Sequence, residues 1–154
     1  MRWRHRILTR LKVHIGVDSQ LGIAHSAVVT AANVHDKHPL PDLLHGNETR
    51  VYGDSAYASQ KALIEGKAPK ARDFTNQRTR RGGIVDDAMR AKNRNKSRIR
   101  SRVEHAIGVI KRVFGFRKVR YRGLAKNGNR LFVTAALANI FLLRYSLLGA
   151  VRPQ

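Results

Sequence analysis

The sequence predicts an α/β protein, a mixed sheet flanked by helices, and three observations carry that expectation. Residues 11–17 alternate apolar and polar with period two, and 23–32 form a second β-rich run, so the two read as a hairpin. A short run, Thr49-Arg50-Val51-Tyr52-Gly53, leads directly into Asp54. Two long tracts of helical periodicity then fill most of the C-terminal half.

In chain order, 11–17 is a half-buried strand, 18–22 a turn and 23–32 its antiparallel partner. A polar connector over 33–41 ends in a short helix at 41–45. The strand at 49–53 is followed by a helix over 58–65 and a further strand within 68–75. Residues 76–83, rich in Arg and Gly, read as a loop. A helical tract starts near Val85, is interrupted or frayed near 93–95, and ends at Gly115. Residues 116–122 alternate again and are cationic, and 123–129 read as a loop. The last helix, about 130–148, is apolar nearly all round and should lie against the sheet or another helix. We find no repeat and no second domain. A basic segment over 1–10 precedes one domain over 11–150.

Composition narrows the function. The 154 residues carry a net charge of +21, and 42% of them are apolar, enough for a core. The charge is uneven: residues 1–87 hold a net +5 and residues 88–154 a net +16, with Glu104 the one acid of the second part. Such a half calls for a polyanion, most commonly nucleic acid. A membrane partner is not expected, because the cations lack an exposed aromatic face. The apolar run over 131–143 falls short of the ~20 residues of a membrane span. The basic N-terminus lacks the apolar run of a signal peptide. With no cysteine, no disulfide or thiolate site is available, which fits a reducing cytoplasm.

Glu104 lies in a basic helical tract. At about 100° per residue, Ile99, Val103, Ala106, Ile107, Ile110 and Val113 fall on one face, and Arg100, Glu104 and Lys111 follow its edge. Flanking cations favour the charged form of a carboxylate. The plain explanation is an ion pair between Arg100 and Glu104, worth a few tenths of a kcal/mol. Asp54, where a strand gives way to a helix, occupies the kind of position where α/β sheets build sites. Its plain explanation is a turn or helix cap. Together, one carboxylate at a strand end and one on a later helix suit a hard divalent cation completed by phosphate oxygens.

At these residues the chain resembles the DDE transposases of bacterial insertion sequences. Val51-Tyr52-Gly53-Asp54-Ser55-Ala56-Tyr57 is similar to their second-aspartate motif. Arg100, Glu104 and Lys111 match the spacing of their third motif. The tract over 109–127 is also similar, as are Gly16-Val17-Asp18 and the run from Thr30 to Asp36. The resemblance covers about 11–150. Ser97 and Ala56 stand where the family has Tyr and Gly.

The resemblance implies a ribonuclease H-like fold and DNA transposition. In the family, cleavage at the transposon end is metal-dependent, and the freed 3′-hydroxyl attacks target DNA. Asp54 and Glu104 would be catalytic metal ligands for Mg²⁺ or Mn²⁺, with Arg100 and Lys111 orienting carboxylate and DNA. The family's first aspartate, on a central strand upstream of Leu11, has no counterpart, since residues 1–10 contain no acid. The chain therefore reads as a C-terminal catalytic portion, truncated and with little or no activity alone. Loss of that strand leaves two sheet edges open to pairing in trans, either as a homo-oligomer or with a full-length transposase.

Asp18 is a turn residue rather than a substitute ligand. Asp36 belongs to a connector, and Asp86-Asp87 begin a helix. The histidines, including His35 and His38, lack zinc spacing. Arg78, Arg80, Arg81, Arg90, Lys92, Arg94, Lys96, Arg98 and Arg102 are expected to contact phosphates. Trp3 and Tyr57 are either core aromatics or stacking platforms. Two further readings remain. One is a non-catalytic DNA-binding protein that inhibits or partners a full-length transposase. The other, ribosomal-type RNA binding, rests on charge alone. The expected location is the bacterial cytoplasm, at the nucleoid.

Overall fold

The computed structural model describes residues 11–57, 59–77, 80–81 and 84–151. Alternation builds the first element as expected: β1 (Leu11–Val17) pairs antiparallel with β2 (Ala24–Ala31), Leu11 opposite Ala31 and His14 opposite Val28. The turn between them is closed by Asp18, whose Oδ1 accepts from the Gln20 and Leu21 N–H groups. Gly22 completes it at φ 74°, which a side chain would strain. As the alternation suggests, most of β1 is half-buried, and its two central residues are buried on opposite sides. Ile15 enters the core, while His14 is buried on the other side against Thr30 Oγ1 at 2.9 Å.

Beyond the hairpin the elements are short. They are α1 (Leu40–Leu43), β3 (Arg50–Val51), a 3₁₀ turn (Ser55–Tyr57), α2 (Lys61–Lys67) and β4 (Arg72–Asp73). β3 and β4 pair in parallel. β5 (Arg80–Arg81) and β6 (Ile84–Val85) form a small antiparallel ladder inside the expected loop. The described strands thus make three two-stranded ladders rather than one sheet.

Two long helices complete the molecule, α3 (Asp87–Arg112) and α4 (Leu124–Val151). Asp86 caps α3, its carboxylate accepting from Met89 N–H at 2.9 Å. The helix runs unbroken through 93–95, against expectation, because tertiary partners occupy its asparagine-rich turn. Asn93 bonds both backbone groups of Gln77, and Lys96 Nζ donates to Thr75 O. Val113, expected on the apolar face, is 52% exposed, since the helix stops at Arg112 and Phe116 turns back into the core instead.

α4 starts earlier than expected. Buried Asn127 substitutes for missing backbone partners at its first turn, donating to Tyr121 O and Gly123 O, each at 2.7 Å. The main core lies where β1 and β2 meet the two helices: Ile15 and Ala27 against Ala106, Val109, Ile110, Leu131 and Ala135. A smaller core of Leu40, Val51 and Ile64 sits under the β3–β4 pair.

Candidate metal and DNA site

Between the hairpin and the β3–β4 pair lies a cavity of about 490 Å³. One wall is the end of β1, another is β3 and the chain that follows it, and the floor is α3, through Ile99, Val103 and Ile107. Asp54 and Glu104 both line it, with Arg100 and Arg102. Asp54 is half-buried and opens the 3₁₀ turn, its carbonyl accepting from Tyr57 N–H at 3.1 Å. It reaches this place because Gly53 lets the backbone press against Thr75 and Tyr57. A Cβ there would come within 3.0 Å of Thr75 Cγ2.

Glu104 is exposed on the cavity side of α3. The ion pair with Arg100 does not form: among the described residues the ion pairs are Lys12–Asp36 and Lys61–Glu65. Tyr57 registers the charges around it. Its hydroxyl is pushed above the usual phenol value by burial first, then by Asp54 and Asp36, with Arg100 opposing.

Two more acids line the cavity, and both are committed to backbone. Asp18 holds the hairpin turn. Glu48 accepts from the N–H groups of His45 and Gly46. Burial raises its pKa, but these bonds outweigh burial and leave it below the usual carboxylate value. The Glu48 contribution is absent from the sequence reading; a carboxylate two and three residues after a Gly-containing bend is the signal that would have found it. Also unforeseen is His25, whose Nδ1 lies 2.6 Å from His45 Nε2 at the cavity wall. Burial, then His45, holds His25 below the usual imidazole value.

The remaining expected site residues are spread more widely. Lys111 is exposed and lines an adjoining cavity of about 930 Å³ with Lys12, Arg117 and Lys118. Arg94 and Arg98 are exposed on α3, one turn apart. Lys96 is tied to Thr75 O, and Arg102 Nη1 donates to Gln20 O at 2.9 Å, so both also brace the fold. Arg78 and Trp3 lie outside the described residues. Arg80 and Arg81 are described only as the backbone of β5. Among the described residues, no three His, Asp or Glu side chains gather closely enough to hold a metal ion.

A family model, described as the transposase DDE domain, matches residues 3–140. The chain belongs to the transposase DDE domain family. Membership ties this domain to DNA transposition and makes DNA its partner, in keeping with the +16 carried by residues 88–154. It also gives the mixed α/β pattern of small ladders and helices its family setting. No solved structure matches the transposase domain.

Proposed function

We propose that the chain supplies the second and third carboxylates of a DDE transposase site, Asp54 and Glu104, and binds DNA along the basic face of α3. The observation that carries this is that the two acids, one from a strand end and one from a distant helix, line one cavity together with Arg100. The hard carboxylate oxygens of Asp54 and Glu104 suit a Mg²⁺ or Mn²⁺ ion that completes its shell with substrate phosphates and water. Bound there, the ion would supply charge neutralisation at the scissile phosphate and an activated nucleophile. Asp54 and Glu104 would hold it. Arg100, on the same cavity, offsets phosphate charge, Lys111 meets the DNA beyond the cavity, and Arg94 and Arg98 anchor the backbone of the duplex. The chain acts in the bacterial cytoplasm, at the nucleoid.

We further infer a ribonuclease H-like arrangement whose first central strand, with its aspartate, belongs between β1 and β3. Supporting this, both strands border the same cavity and no described ladder joins them. On this reading the chain alone performs little strand transfer, and a strand from a full-length transposase pairs there in trans. The test is a nicking assay on DNA bearing the cognate ends, with Mg²⁺ or Mn²⁺. Feeble turnover, restored by a full-length partner and abolished by Glu104→Gln, is the expected result. Robust turnover by the chain alone would overturn the inactivity, and turnover indifferent to Glu104→Gln would overturn the site.

A second reading is a non-catalytic DNA-binding inhibitor, for which the net +16 of residues 88–154 would suffice without the acids. In that case DNA binding survives Asp54→Asn and Glu104→Gln, stays steeply salt-dependent, and no cleavage follows addition of a partner.

A further inference from the structure

Between α3 and α4 the chain runs through residues 113–123, and four of the six residues from 117 to 122 are Lys or Arg. Arg117, Lys118, Arg120 and Arg122 are all exposed, and no acid follows Glu104 in the sequence. Neither ion pair among the described residues involves them. Among these cations stands Tyr121, 49% exposed. An aromatic ring in a connection usually packs into the core. Phe116 does so here, and Tyr121 is left at the surface.

Two residues of α4 hold this connection from behind. Asn127 Oδ1 accepts from the Arg120 and Tyr121 N–H groups, each at 3.4 Å, while its Nδ2 donates to Tyr121 O and Gly123 O. The Arg130 guanidinium donates to Lys118 O and Gly115 O, each at 2.9 Å, and lies 4.6 Å from the Phe116 ring centroid. These hydrogen bonds engage backbone, so they fix the path of the connection without using its side chains. Of the four cations, Arg117 is partly committed, its Nε donating to Lys111 O at 3.2 Å. A surface whose shape is set in advance loses less entropy on binding.

We propose that this connection binds an unpaired stretch of DNA, with a base stacked on Tyr121 and the neighbouring phosphates held by Arg120 and Arg122. Cations alone would accept any DNA. The ring discriminates, because a duplex hides the faces of its bases in the stack, whereas an unpaired base can lay its face on an aromatic side chain. The order Arg-Tyr-Arg sets a stacking platform between two phosphate-seeking groups, as base and phosphate alternate along a strand. Phe116, Arg117, Lys118 and Val119 also line the cavity of about 930 Å³, which shares Tyr57, Val103 and Ile107 with the cavity that Asp54 and Glu104 line. An unpaired strand leaving the acids thus has a cationic path, past Lys111, to Tyr121. Such a site needs DNA as the partner, as in the transposase reading, but needs no metal on the two acids.

The test is fluorescence anisotropy of the whole chain with three labelled probes: a blunt duplex, the same duplex carrying a short thymine tail, and the thymine strand alone. The tailed duplex should bind more tightly than the blunt one. Tyr121→Ala should weaken binding to the tail and to the free strand about 10-fold and leave the blunt duplex unchanged. Tyr121→Phe, which keeps the ring, should behave as the unaltered chain. Circular dichroism should not change, since the ring is exposed and Asn127 holds the backbone. With 5-iodouracil in place of a tail thymine, irradiation should cross-link the tail to Tyr121, read by mass spectrometry. Equal affinity for tailed and blunt duplex, indifference to Tyr121→Ala, or an equal loss on all three probes would each overturn the site. Tighter binding of a uridine RNA strand of the same length would overturn it in favour of RNA. These outcomes leave the transposase reading in place, whereas binding to none of the probes would overturn both.

Discussion

Asn93 holds Gln77 from both sides: its Nδ2 donates to Gln77 O at 2.7 Å, and its Oδ1 accepts from Gln77 N–H at 3.2 Å. A side-chain amide here does the work of a neighbouring strand. With Lys96–Thr75 and Asn76–Ser97, it straps the segment after β4, and hence the block bearing Asp54, onto α3. Asn93→Ala should cost about 1–2 kcal/mol in thermal or urea unfolding. Hydrogen exchange at the Gln77 amide should speed up first. Unchanged protection there would show the strap to be inert.

Asn127 is the second polar anchor, 1% exposed and bonded to the carbonyls of Tyr121 and Gly123. Asn127→Leu keeps the volume but orphans both carbonyls. The expected loss is about 3 kcal/mol, with the start of α4 fraying, read by amide exchange over 124–128.

Much of this was legible in the residues and some was not. The hairpin declares itself because period two extends over whole strands. β3 and β4, two residues each, carry no period and depend on what surrounds them. α3 looked frayed at 93–95, and 123–129 looked like a loop, for one reason: Asn and Gly are poor helix formers. In both places an asparagine side chain finds backbone partners, Asn93 sixteen residues away at Gln77 and Asn127 nearby at Tyr121 and Gly123, which helix propensity alone does not record. Asp54 and Glu104 stand out in sequence by motif and by charge contrast. That they border one cavity depends on α3 packing against β1 and on the strap at 75–77, and neither is a local property.

Acid should weaken the hairpin. Burial holds the His14 imidazole below its ordinary pKa, with Asp36 opposing and Lys12 assisting, and His25 is lowered likewise. Below about pH 6.5 the unfolded chain therefore binds more protons than the folded one. Stability is complete above that value and is lost as pH falls through it towards the folded pKa. Urea midpoints should drop between pH 7.5 and 5.5, and His14→Gln should flatten the slope. A midpoint that rises towards acid would contradict the assignment.

DNA affinity should fall steeply with salt. Arg94→Ala and Arg98→Ala, exposed and with no part in the core, should each reduce the slope of log K against log salt by about 1, with melting temperature unchanged. Lys96→Ala should lower both affinity and stability, because that ammonium also braces Thr75.

The continuity of α3 has a geometrical consequence. Arg94 and Glu104 ride one rigid rod, ten residues apart in register, so about 15 Å of rise separates them with no hinge between. In the proposed complex that rod is a ruler. A duplex gripped near Arg94 presents the phosphate to be cut some four or five base pairs away, at ~3.4 Å per step. Lengthening the rod by a turn would move the cut, while leaving the grip and the acids as they are.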